Sequence, residues 1–283
     1  QTISRIAPRA GRATRIDVDD RPTALAAAGG IVYVGLRPTG AAHVGGTLRI
    51  VFPECCRDMP DPVDGYRHWQ TLPLTNDGLV GWKRVGGQAG TELVPDLAVS
   101  LPSVSEDRRT YTFQLRRGIR YSDGRLVKAS DVRYTFERLY KVLPRFLEEF
   151  PGADEAVAYF GSITGTDRCR DDPSTCDLSR GIVTDDRAGT VAFHLTAPDP
   201  DFLFKLALPF AYILPEGTSP REPAEEPLPA TGPYRVATVG QGSTRLVRNT
   251  AFREWSSAAQ PAGLPDEIVL SSVRKPACPP RRA

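Results

Sequence analysis

The clearest pattern along the chain is the alternation of Tyr111, Phe113 and Leu115 with Thr112, Gln114 and Arg116, which predicts a half-buried strand ended by Arg117-Gly118. Ser122-Asp123-Gly124 then supplies a turn in which glycine can take positive φ. The apolar period next changes to that of a helix over 133–143. Val132, Phe136, Leu139 and Tyr140 fall on one face, Ser130 or Asp131 stands at the cap, and Arg133, Glu137, Arg138 and Lys141 are expected to face water. Upstream, residues 14–18, 23–27 and 31–36 are short apolar stretches separated by Asp19-Asp20-Arg21-Pro22 and Gly29-Gly30, a pattern that predicts an antiparallel meander. A linker over 37–44, containing Pro38 and Gly40, leads to Gly45-Gly46-Thr47-Leu48-Arg49-Ile50-Val51-Phe52, the opening strand of a new domain. Downstream, Gly181-Ile182-Val183 and the run 185–195 predict two strands around a turn. Pro198-Asp199-Pro200-Asp201 opens a helix. The tail at 274–283 is rich in Pro and Arg without apolar periodicity, and disorder is expected there.

Composition narrows the function classes. Charged residues make up 25% of the chain but the formal net charge is only +2, so no charge imbalance points to nucleic acid or to an anionic membrane surface. The longest apolar run, Leu25 to Leu36, is short and broken by Gly29 and Gly30, so no direct membrane insertion is expected. The first fifteen residues lack the apolar core of an export signal; a signal or anchor, if the parent protein is exported, is expected upstream. Cys169 and Cys176 flank a polar, turn-rich stretch with Pro173 inside it. A disulfide between them is expected, and with it an oxidising, extracytoplasmic location. Neither Cys55-Cys56 nor Cys278, with His43, His68 and His194, supplies a zinc spacing, so no metal or cofactor is implied.

Several motifs carry a family resemblance. They are the glycine-led strand at 45–52, Asp61-Pro62, Asn76-Asp77-Gly78-Leu79-Val80, Leu93-Val94-Pro95-Asp96-Leu97-Ala98, the hairpin over 111–124, Ala129-Ser130-Asp131-Val132 with its helix, and Thr231-Gly232-Pro233-Tyr234. In this order they resemble the first lobe of the bacterial extracellular solute-binding proteins of family 5, which bind peptides, nickel chelates and similar solutes. The resemblance implies an α/β fold of the periplasmic-binding-protein type (class II, cluster C), with a mixed sheet, a smaller α+β subdomain, and the second lobe absent. It implies lobe I over 45–273, with 45–59 and 181–273 as the main subdomain, 60–180 inserted, and the lobe's last strands at 246–249 and 265–270. Residues 1–44, through Arg21-Pro22-Thr23-Ala24-Leu25-Ala26 and Gly29-Gly30-Ile31-Val32-Tyr33-Val34, resemble one blade of a β-propeller, a remnant of a larger array.

The resemblance also nominates ligand-binding residues. Glu54, just after the first strand, falls on the cleft floor, where a carboxylate could hold a ligand's amino terminus. Tyr134, three residues beyond Asp131, falls where an aromatic wall faces the ligand. The implied function is the peptide-binding component of an ABC importer, partnered by its membrane permease. The alternatives are a sensory ectodomain of a larger protein, or a fragment that binds nothing. No catalytic residue is nominated. Serine-elbow, phosphate-loop and dinucleotide motifs are absent, Asp171-Asp172, Asp185-Asp186 and Glu225-Glu226 read as solvated turns, and His194 lies alone on a strand.

Overall fold

The structure is a computed structural model that describes the backbone strands at 2–6, 13–17, 21–28 and 31–37, and residues 44–52, 59–149, 155–219, 226–240 and 242–272. Glu54 and the tail at 274–283 lie outside the described residues. The chain forms two compact units, Gln1–Gly45 and Gly46–Ala283.

In the first unit, β1 (Thr2–Ile6) pairs with β2 (Ala13–Asp17), and β3 (Arg21–Ala28) pairs with β4 (Ile31–Arg37), both antiparallel. This corrects the three-stranded meander: the strand expected beside β3 takes its partner from Thr2–Ile6, with Ile3 opposite Ile16. Pro22, opposite Leu36 in β3, has no N–H to offer a second neighbour. The four described strands thus form two separate hairpins and not one four-stranded blade.

The second unit holds the other strands: β5 (Thr47–Phe52), β6 (Val80–Trp82), β7 (Leu93–Pro95), β8 (Ser103–Val104), β9 (Thr110–Gln114), β10 (Ile182–Asp185), β11 (Thr190–His194), β12 (Tyr234–Gly240), β13 (Ser243–Arg248) and β14 (Glu267–Ser272). The main sheet is mixed, in the order β12-β13-β14-β5. Its β14 and β5 are parallel, from Glu267 opposite Thr47 to Ser272 opposite Phe52. A second, antiparallel sheet runs β10-β11-β9-β8, and β6 pairs with β7 alone. The hairpin expected over 111–124 is corrected to a single strand, β9, paired with β8 and β11. The strands just after Gly181 therefore join β9, not the first strand as the sequence reading had it. Their inward residues decide this. Phe193 packs edge-on against Phe113 and Phe136, with ring centroids 6.0 and 5.5 Å away, a fit to the aromatic core of the second sheet.

The helices are α1 (Leu72–Thr75), α2 (Ala129–Glu149), α3 (Glu155–Tyr159), α4 (Thr166–Asp171) and α5 (Phe202–Leu206). Helix α2 is longer than its apolar period predicts and runs through Pro144. Its start is fixed from elsewhere in the fold: Ser130 donates its backbone N–H to Asp186 Oδ1 (2.8 Å) and its hydroxyl to Asp186 Oδ2 (3.0 Å). Val132, Phe136, Leu139 and Tyr140 are buried as the period requires, but Arg138 is buried too, against expectation, because it meets Asp61.

Two hydrophobic cores result. The larger gathers α2, the second sheet and residues such as Leu79, Leu97, Phe202 and Phe210. The smaller lies on the main sheet, around Tyr234, Val236, Leu246, Ile268 and Leu270, with Met59 and Leu74 packed on it. Cys169 and Cys176, both buried in the larger core, are joined by a disulfide with Cα atoms 4.3 Å apart.

Candidate ligand-binding edge

In open α/β sheets, ligands lie outside the carboxyl ends of the parallel strands, where backbone ends and loops converge. Here β5 and β14 end together at Phe52 and Ser272. The chain leaving β5 returns to the described residues at Met59 on the smaller core, and then enters a buried ion pair. Asp61, wholly buried, receives Arg138 Nη1 on Oδ1 (2.9 Å) and Arg138 Nη2 on Oδ2 (2.6 Å). Asp61 Oδ1 also accepts the Val63 N–H (3.0 Å), capping the single turn Pro62–Asp64. Arg138 Nε donates to the Ser219 carbonyl (2.9 Å), so one guanidinium ties α2 to the segments before and beyond it.

Tyr134, one turn earlier on α2, donates its hydroxyl to the Thr218 carbonyl. The residue nominated as an aromatic wall therefore uses its polar end on its own backbone, and with Arg138 it pins Thr218 and Ser219 to the helix. Farther along the returning segment, the Tyr66 and Tyr159 hydroxyls hydrogen-bond each other, and the Tyr66 ring stands edge-on to Phe210 at 4.9 Å. Tyr66 and Trp69 keep 45% and 43% of their surface exposed, which makes this segment an aromatic surface next to the buried ion pair.

Asp61 and Arg138 were missed as a pair because each has a local reading, a turn aspartate and a water-facing helical arginine. A signal did exist. Asp131, Thr135 and Arg138 recur at helical spacing, and all three are buried. Asp131 accepts from Tyr121 and Lys128 on Oδ2 and from the Glu216 N–H on Oδ1, while Thr135 donates to the Asp131 carbonyl. Burial pushes the Asp131 carboxyl upward against these donors. An open cavity of about 520 Å³ adjoins this stripe, lined by Arg120, Arg125, Lys128 and Glu216 among others.

A second polar cluster links the 76–97 region to 231 and 255–260. Asp77 accepts from the Thr231 hydroxyl (2.6 Å) and from Gln260 Nε2, and Asp96 accepts from Trp255 Nε1 (2.9 Å). Burial raises the Asp77 carboxyl to about 6, and burial with the nearby Asp77 charge raises Asp96 well above the ordinary carboxylate range. Both aspartates stand in motifs quoted above, where their burial was not foreseen. His194 is half-buried, with Nδ1 3.2 Å from the Thr110 hydroxyl across the strands, and Asp172 and Asp185 accept backbone N–H groups in turns.

The chain belongs to the bacterial extracellular solute-binding proteins, family 5, whose middle region matches residues 92–277, a family of solute-binding proteins and not of enzymes. It is 34% identical over 130 residues to the dipeptide-binding protein of Escherichia coli (strain K12) and 33% identical over 132 residues to di/tripeptide-binding protein 1 of Pseudomonas aeruginosa (strain UCBPP-PA14). Each match covers 44% of this chain and 22% of the relative. Among solved structures, the clavulanic acid biosynthesis oligopeptide binding protein 2 superposes with a TM-score of 0.65 at 31% identity, over 82% of this chain and 41% of its own. The periplasmic binding protein DppA from Helicobacter pylori, in complex with peptide STSA, gives 0.58 at 25% identity, over 82% and 43%. The chain thus spans less than half the length of these proteins. No described helix is long and apolar enough to cross a membrane, and among the described residues no group of His, Cys, Asp and Glu could hold a metal ion.

Proposed function

We propose that this chain contributes the first lobe of an extracytoplasmic solute-binding protein that takes a peptide-like solute and passes it to the membrane permease of an ABC importer. The observation that carries the reading is the match to relatives named for di- and tripeptide binding, and an exposed aromatic pair, Tyr66 and Trp69, on the segment that follows the buried Asp61–Arg138 ion pair supports it. Aromatic surface suits a solute class with varied side chains, because it supplies contact area without demanding one shape. Glu54 and Tyr134 enter the reading differently: Glu54 as a carboxylate for the peptide's amino terminus, Tyr134 as a support for the backbone at 218–219.

In a clamshell, a second surface closes over the solute; a peptide on one open face keeps much of its area in water while still losing its translational freedom. Affinity of this chain alone is therefore expected near about 1 mM, roughly a thousandfold weaker than a micromolar two-lobed site. The test is an NMR titration of the isotopically labelled chain with di- and tripeptides, beside a nickel chelate and a free amino acid. Saturable shifts at Met59, Tyr66 and Trp69 with peptides are expected. Shifts with the chelate alone, or none with peptides at these positions, would overturn the reading.

A further inference from the structure

Asp77 lies between Leu74, packed on the smaller core, and Leu79, in the larger one; Asp96 precedes Leu97 of the larger core. Trp255 and Gln260 sit on the loop that joins β13 to β14 in the main sheet. The two carboxyls approach within hydrogen-bond reach of each other, and both residues are almost wholly buried. Of their four oxygens, three receive a donor: Asp77 Oδ1 from Gln260, Asp77 Oδ2 from Thr231 and Asp96 Oδ1 from Trp255. Among the described residues, none donates to Asp96 Oδ2, beside which Gly81 leaves space, its would-be Cβ 3.6 Å away.

The charged and titratable groups facing the pair are Arg84, Arg116 and Tyr212. Both arginines direct donors at carbonyls: Arg84 at Ala259 (3.0 Å) and Pro73 (3.1 Å), and Arg116 at the Asp96 carbonyl (2.8 Å). Tyr212 is held neutral by burial. Two buried carboxyls in contact do not both ionise when neighbouring cations are engaged elsewhere.

We propose that Asp96 keeps a proton on Oδ2 at neutral pH and donates it to Asp77, forming a latch that fastens the main-sheet loop at 254–262 to the β6–β7 hairpin. Burial acts in the same direction, raising Asp77 to about 6 and Asp96 farther. Above about pH 6 the closed seam retains a proton that an opened seam gives to water. Opening then becomes about tenfold easier per pH unit, until Asp96 ionises in the closed state as well.

The test is hydrogen exchange of the 254–262 peptide, corrected for intrinsic rates, from about pH 6 to about pH 9. It is combined with infrared detection of a protonated carboxylic acid near neutral pH. The native chain should show the tenfold slope and the acid band. Asp96→Asn, whose amide donates without titrating, should lose both. Asp77→Asn removes the like charge but leaves the burial, so the slope should level off at a lower pH than in the native chain, which keeps the idea testable if Asp96→Asn fails to fold. A flat native profile, no acid band in the native chain, or a band that persists in Asp96→Asn would overturn the proposal.

Discussion

Arg138 and Asp61 meet in a two-pronged ion pair, 2.9 and 2.6 Å, with 3% and 0% of their side chains exposed. They stand 77 residues apart in the chain. The pair holds the segment that returns from β5 against the middle of α2, and its third donor, Arg138 Nε, holds Ser219 on the same helix.

Breaking this pair from one side leaves a buried charge without a partner, so Arg138→Met is expected to cost about 3–5 kcal/mol. Asp61→Leu combined with Arg138→Met removes both charges and should recover most of that loss. Urea unfolding of the two single variants and the double variant measures the coupling; additive losses would contradict it.

Stability should depend on pH through Asp77. Its carboxyl is raised from 3.8 to about 6 by burial, so the folded state binds a proton that the unfolded chain has released. The contribution, roughly 3 kcal/mol for such a shift, is fully present below pH 3.8 and is lost as pH rises through about 6. Asp77→Asn should flatten the fall in urea midpoint over this window. A native midpoint that rises there instead would sink the assignment.

The Cys169–Cys176 disulfide closes a loop with a sequence separation of 7. Constraining so short a loop in the unfolded chain is worth about 2–3 kcal/mol on the chain-entropy account. Replacing both cysteines by alanine should lower the melting temperature measurably, and added reductant should leave the variant unchanged while destabilising the native chain. Equal reductant sensitivity in both would count against it.

Tyr134 gives its hydroxyl to the Thr218 carbonyl, so Tyr134→Phe is expected to cost about 1 kcal/mol of stability. Peptide-induced shifts at Met59 and Tyr66 should survive that change. Their loss in a variant that is otherwise folded would return Tyr134 to the ligand surface.

The strand at 110–114, its turn, the apolar face of α2 and the strands at 182–194 were legible from spacing, while the strands expected at 246–249 and 265–270 came from the family resemblance and lie at 243–248 and 267–272. Alternation and helical period report which side of an element is buried, and burial of that side is what folds it. Local motifs also carried the family resemblance. Partner choice was not legible. Periodicity states that Phe193 points inward, but only the fit to Phe113 and Phe136 assigns β10 and β11 to the second sheet. For charged groups the gap is wider. Arg138 and Asp61, and Asp77 and Asp96, belong to types that ordinarily face water, and their burial depends on a partner supplied from far along the chain, while Asp186 stays exposed and reaches the start of α2 from a distant turn. Sequence determined the elements because their patterns are local; tertiary structure decided the ion pair and the carboxyl pair because a buried polar group is tolerable only once folding has brought its partner to it, and the helix cap because its acceptor lies 56 residues away.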